Sequence, residues 1–304
     1  MSDDVARAAA VLRAGGLVAF PTETVYGLGA DASNASALRR LYAVKRRPAD
    51  HPVIVHVGTA AQLDDLAVDV PAVARILARA CWPGPLTLVV RRRPGAVADE
   101  ATGGRDTVGV RVPDHPLARA LLDAFGGPVA APSANRFGKV SPTTARHVRD
   151  DLDGDVDVIL DGGPCDVGVE STIVDVTGDA PVVLRVGGVS EARLTDLLSR
   201  APDRLTDGEV AAPGTLPSHY APNARVELVR AQDIPARVAS LRASGKHVAV
   251  LDAPGDAAEY ARVLYARLRD ADARHVDVIL ATVPEDDGSI GAAVRDRLER
   301  AARG

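Results

Sequence analysis

Lysine is almost missing from this chain. Of its 36 basic residues only Lys45, Lys139 and Lys246 are lysine; the rest are arginine, and 41 acidic residues bring the formal net charge to -5. That balance lacks the basic excess of a general nucleic-acid binder. Cysteine is scarce too: Cys81 and Cys165 form no CxxC pair and no zinc-ligand spacing, and suit a reducing compartment as buried thiols. No run approaches the ~18 apolar residues of a membrane span, and Met1-Ser2-Asp3-Asp4 has neither the basic nor the apolar part of a signal peptide. A cytoplasmic protein with no membrane partner is expected. Familiar catalytic signatures are absent as well. There is no GxxxxGK[ST], HExxH or GxSxG. Gly27-Leu28-Gly29 follows a strand but lacks the third glycine of a dinucleotide fingerprint. The seven histidines have no metal-ligand spacing, and no covalent nucleophile stands out.

What is present is a 304-residue chain with 46% hydrophobic residues, enough for a large core without staples. Its first two-thirds alternates short β-branched runs with helical periodicity. Strands are expected at 16–20, 53–57, 86–90, 108–112, 129–131, 156–160, 171–175 and 182–185, and helices at 4–14, 35–43, 71–80 and 117–124. This reads as an α/β domain over 1–200 with a twisted mixed sheet and flanking helices. Residues 201–223 are proline-rich and aperiodic, and read as a linker. A purely flexible linker has no use for His219-Tyr220, so this one is expected to dock on something. From 224 to 304 three βα units restart the pattern, giving a small Rossmann-like parallel domain.

Five segments carry polar residues where a sheet binds ligands, and each has a plainer alternative. Pro21 to Gly29 follows a buried strand, but the glycines also suit a simple turn. Lys45-Arg46-Arg47-Pro48 is either a cationic helix end complementing the dipole or a polyphosphate clamp. His56 lies in a strand between two valines and equally suits a core position. In Thr107 to Val112, alternation puts Thr107, Gly109 and Arg111 on one face and the valines on the other. An arginine beside a strand glycine suits an anion lying against bare backbone, or merely a solvent face. Ser133, Asn135 and Ser141 offer neutral hydrogen-bonding groups; Ser141 or Thr143 equally suits the N-cap of a helix starting near 144. Gly168 to Asp175 and Arg185 complete the set.

Taken together, PTETVYGLG, KRRP followed by HP and IVHV, WPGPLTLVV, VGVRVP, APSAN, SPT, GVESTIVD and LRVGG resemble, in order and spacing, the YrdC/Sua5 family of L-threonylcarbamoyladenylate synthases over roughly residues 7–195. The segment PGTLPSHYAP resembles the linker of the two-domain Sua5 type, and residues 290–298 the close of its C-terminal domain. The resemblance implies a nucleotidyltransferase that joins L-threonine, bicarbonate (or CO2) and ATP into threonylcarbamoyl-AMP and diphosphate. The product feeds a downstream threonylcarbamoyl transferase complex that modifies adenosine in tRNA, so tRNA is an indirect partner. It further implies threonine contacts from Thr24, His56, Arg111, Ala131 and Ser171. ATP contacts would come from Arg47, His51, Thr107, Ser133, Asn135, Ser141, Arg185 and Tyr220, with Lys45 and Arg47 as the catalytic cations and Tyr220 reaching back over the nucleotide. Arg46 would point elsewhere, into solvent. Mg2+ is expected with the ATP phosphates, with Glu23 and Glu170 the only nearby acids to consider as ligands. Departures from the family pattern are His51 for Asn, Ala131 for Thr (leaving only its backbone to serve), Phe137 for Ser, and Thr215-Leu216 for Met-Lys or Met-Arg. Rival readings are a YrdC-like RNA-binding module without catalysis, a related carbamoyl transferase, whose zinc-finger and acylphosphatase modules have no counterpart here, and an added regulatory role for the C-terminal domain.

Overall fold

The computed structural model describes residues 2–204, 220–251, 253–285 and 288–304. The expectations placed on Thr215-Leu216 and His219 lie outside the described residues.

In chain order the strands are β1 (Val18–Phe20), β2 (Gly27–Asp31), β3 (Ile54–His56), β4 (Leu86–Arg91), β5 (Thr107–Arg111), β6 (Val129–Ala130), β7 (Val158–Ile159), β8 (Thr172–Asp175), β9 (Val182–Arg185) and β10 (Asp203–Arg204). They form one mixed sheet in the order β10-β9-β8-β4-β5-β3-β6-β2-β1-β7. Three further strands, β11 (Arg225–Leu228), β12 (Val248–Leu251) and β13 (Val278–Ala281), make a parallel sheet in the order β11-β13-β12. The α/β class and the small Rossmann-like unit are as expected from the sequence. One segment differs. Gly27-Leu28-Gly29, read as a turn, opens β2, which runs antiparallel to β1. Its glycine is a packing device: a Cβ on Gly29 would lie 2.8 Å from the Phe20 ring and 3.2 Å from the Val18 carbonyl.

The helix Ala35–Lys45 sets the geometry of the basic triplet. Asn34 caps its start, accepting from the Ser36 and Ala37 amides. Arg46 ends it in the left-handed region at φ 55, its amide donating to the Ala43 and Tyr42 carbonyls. That turn sends the three cations apart. Lys45 is buried in the last helical turn and Arg46 is exposed, as expected, while Arg47 starts a new direction.

The two sheets share one apolar cluster. Val25, Val140 and Val169 of the large domain pack with Tyr220, Leu264, Tyr265, Val294 and Leu298 of the small one. Across it Arg269 pairs with Asp151 at 2.5 Å and also donates to the Val140 carbonyl. Buried apolar contact together with paired charge holds the small domain against the large one.

Candidate active site

A cavity opens on one face of the large sheet, and strand register explains which side chains meet there. His56 of β3 is opposite Arg111 of β5. Thr87 of β4, one step beyond the Leu88–Val110 pair, is in turn opposite Ile173 of β8, which faces Arg185 of β9. Residues from five strands thus line up across roughly four inter-strand steps of about 4.8 Å. The cavity is walled by His56, Arg111 and Arg185 from this row, by Ser171 just before β8, by Thr22, Thr24 and Val25 after β1, and by Ala131, Pro132 and Ser133 after β6. Arg47 closes one side, and Glu170 and Tyr220 another.

Three arginines dominate its charge. Arg111 donates through Nη2 to Glu23 at 2.6 Å and through Nε to the Gly84 carbonyl. The second Glu23 oxygen accepts from the Asp114 amide at 3.0 Å. Arg185 donates through Nη2 to the Ser171 carbonyl at 2.8 Å, and the Ser171 hydroxyl shares a 2.8 Å hydrogen bond with Thr87. Burial lowers its guanidinium pKa, with Tyr220 opposing the shift and Arg297 reinforcing it. Arg47 donates to the Pro52 carbonyl at 2.8 Å, and its guanidinium lies 5.6 Å from the Phe137 ring centre. No salt bridge to it is seen among the described residues; the Pro52 and His51 carbonyls and the Phe137 ring face its guanidinium, with Asp50 acting on it at longer range.

His56 is buried, and its Nδ1 has no hydrogen-bond partner among the described residues. Burial, then the neighbouring Arg111 charge, push its pKa down to about 3, so the ring is neutral at ordinary pH. Glu170 behaves in the opposite way. Burial alone would raise its carboxyl, but Arg297 and Arg185, with hydrogen bonds from Arg297 and Ser141, outweigh burial and hold it at about 2.

Nine of the expected site residues share this cavity: Thr24, Arg47, His56, Arg111, Ala131, Ser133, Ser171, Arg185 and Tyr220. Five do not line it, each for a local reason. Lys45 is spent on backbone, its Nζ donating to the Ser133 and Asn135 carbonyls at 2.5 and 2.6 Å. In this position the lysine props the 133–135 segment. Asn135 commits its amide to the Arg136 and Lys139 carbonyls. Ser141 is not a helix cap, because Thr144 caps the helix Ala145–Leu152; its hydroxyl donates to Glu170 at 2.7 Å instead. Thr107 sits at the opposite end of β5 from Arg111, paired with Arg91. His51 packs edge-on against Phe137, 5.6 Å between centres, beside Arg47. Gly109 faces Thr87, where an added Cβ would come within 3.3 Å of its methyl, rather than a ligand. Ala131 has already committed its amide to the Ile54 carbonyl at 2.9 Å, leaving only its carbonyl.

Both acids considered for a metal have protein partners in this structure. Glu23 is bridged to Arg111, and Glu170 accepts from Ser141, Tyr265 and Arg297. Among the described residues no group of three or more His, Cys, Asp and Glu gathers in a way that could hold an ion. Sequence reasoning missed Thr22, which bonds Thr24 at 2.8 Å, and Thr87; both lie inside segments already singled out. It also missed Tyr265, for which no local pattern gave a signal, and Arg297, which lies in the 290–298 stretch singled out without a role for that residue.

Comparison with known proteins agrees with this geometry. A family model described as Telomere recombination, covering Sua5, YciO and YrdC proteins, matches residues 10–187. A second, described as Threonylcarbamoyl-AMP synthase, C-terminal domain, matches residues 188–303. The chain is 41% identical over 325 residues to a threonylcarbamoyl-AMP synthase of Bacillus subtilis, covering 99% of this chain and 93% of that one. It is 42% identical over 317 residues to the Pyrococcus abyssi threonylcarbamoyl-AMP synthase, covering 97% and 93%. The crystal structure of P. abyssi Sua5 complexed with L-threonine superposes with a TM-score of 0.94 at 40% identity, over 100% of this chain and 95% of that one.

Proposed function

The chain belongs to the threonylcarbamoyl-AMP synthase family, and from that premise we propose that the arginine-lined cavity is where it joins L-threonine, bicarbonate and ATP into threonylcarbamoyl-AMP and diphosphate. The observation that carries this reading is that His56, Arg111 and Arg185 of one cross-strand row wall the same cavity as Ser171 and Arg47. The threonine amine condenses with bicarbonate to a carbamate, losing water. A carbamate oxygen then attacks the α-phosphorus, and the α–β bridging oxygen leaves with pyrophosphate. The attacking group is already an anion, so the step asks for positioning and charge neutralisation more than proton transfer. A site with three arginines and no free carboxylate pair suits that demand.

In this reading Arg111, neutral His56, Thr24, Ser171 and the Ala131 carbonyl take threonine, and the unpartnered His56 Nδ1 is a ready partner for one of its polar groups. Arg47, Arg185, Ser133 and Tyr220 take the nucleotide. His51, Asn135, Ser141, Thr107 and Lys45 act around this shell, the last chiefly by holding Ser133 in place. Magnesium enters as part of the MgATP substrate, since Glu23 and Glu170 are both committed elsewhere. The labile product passes to a threonylcarbamoyl transferase complex acting on tRNA in the cytoplasm. No helix of the described residues is long and apolar enough to cross a membrane.

The test is pyrophosphate release from MgATP with threonine and bicarbonate omitted in turn. Release is expected only with both present. Release indifferent to threonine sinks the synthase reading, and tight tRNA binding without release would favour an RNA-binding module.

A further inference from the structure

The largest fully buried side chain of the described residues is Arg297, at 0% exposure on the last helix of the small domain, Gly291–Ala301. An arginine that deep is costly unless every donor is used. Its donors reach three elements. Nε donates to Glu170 at 2.8 Å, Nη2 to the Val186 carbonyl at 3.0 Å, and Nη1 to Asp296. Its flat face lies over the Tyr220 ring, 5.0 Å from guanidinium carbon to ring centre. Glu170 and Tyr220 both line the cavity, and Val186 directly follows Arg185.

Tyr220 has to be held. Its φ of 61 is in the left-handed region, uncommon for a bulky residue and maintained only where surroundings dictate it. Those surroundings come from both domains. Tyr265 stacks on it at 5.7 Å, the Ala221 amide bonds the Gly138 carbonyl, and the Asn223 and Ala224 amides bond the Asp272 carboxylate. Arg297 touches the ring, the cavity glutamate and the backbone next to Arg185 together.

Resting on the synthase reading, we propose that Arg297 is a positioning residue of the active site: it fixes Tyr220 against the nucleotide end of the cavity, so that the small domain completes that end. The small domain then has a catalytic purpose without contributing a group that touches substrate.

The test is a double-mutant cycle in the full-length protein. Affinity for a non-hydrolysable ATP analogue with Mg2+ is measured by calorimetry in the wild type, Arg297→Met, Tyr220→Ala and the double variant. If Arg297 acts through Tyr220, Arg297→Met weakens binding about 30-fold, the weight of a desolvated cation–π contact. The double variant should then be no weaker than Tyr220→Ala by more than about threefold. Arg297→Lys guards against misfolding, because it keeps a cation beside Glu170 but loses the flat face; it should fold normally and still bind about tenfold less tightly. Arg269→Ala, which loosens the domain contact away from Tyr220, should weaken binding less than Arg297→Met does. Losses that multiply in the double variant, Arg297→Met or Arg297→Lys binding within threefold of wild type, or an equal effect of Arg269→Ala overturn the proposal. Threonine-dependent pyrophosphate release by the wild type is scored separately: its absence sinks the synthase reading, whereas multiplicative losses with release intact sink only the role of Arg297. A wild type that binds no analogue sinks both.

Discussion

Two buried arginine–glutamate pairs border the cavity, and they are built to different ends. Arg111–Glu23 lies within the large domain, with side chains 4% and 7% exposed. Arg297–Glu170 crosses between domains, at 0% and 8%. Glu23 has one further donor, the Asp114 amide, whereas Glu170 has two, Ser141 and Tyr265. An inward pair with little redundancy belongs to a fixed wall. A cross-domain pair with more donors keeps its carboxylate satisfied where the two domains meet. The same charge chemistry thus serves rigidity in one place and docking in the other.

The sharpest way to break this comparison is to remove each arginine in turn. Arg111→Met strands Glu23 in the interior and is expected to cost about 3–5 kcal/mol, the usual penalty for halving a buried ion pair. Arg297→Met leaves Glu170 with two donors and is expected to cost about 1–3 kcal/mol. Urea unfolding of both variants checks the order; an equal or inverted ranking would erase the distinction.

Acid sharpens it next. The Glu170 pKa is held at about 2, against 4.5 for an ordinary glutamate. Its folded value is depressed, so its contribution is fully present above about 4.5 and lost as pH falls toward about 2. The wild-type melting temperature should therefore drop more steeply across that interval than that of Glu170→Gln. Parallel curves would mean the pair carries no linked stability.

Smaller stability effects separate the two cations once read as a single clamp. Lys45→Met deprives the Ser133 and Asn135 carbonyls of their donor and should cost about 2 kcal/mol, with activity falling alongside. Arg47→Ala removes a long contact to the His51 carbonyl, a contact to the Pro52 carbonyl and a ring contact, all at the cavity edge, so it should cost under about 1 kcal/mol while lowering pyrophosphate release about 100-fold. A melting shift for Arg47→Ala larger than that for Lys45→Met, with activity retained, would reverse these roles.

Much of this is legible in the sequence. β-branched runs placed most strands of the large sheet, since alternation and branching are local properties. Failures came where a contact over long range decided. Gly27-Leu28-Gly29 reads as a turn until Phe20 is seen packing where a Gly29 side chain would be. The Lys45 ammonium meets carbonyls 88 and 90 residues away, contacts that the basic triplet by itself does not announce.

The sequence alone determined the α/β class, the two-part organisation and most of the residues that wall the cavity, because motif order and periodicity are written along the chain. Only the tertiary structure decided which of them face one another. Strand register set His56, Arg111, Thr87 and Arg185 in one row, and domain docking brought Arg297 onto Glu170 from 127 residues away. Such pairings depend on where whole sheets pack, and no local pattern specifies that.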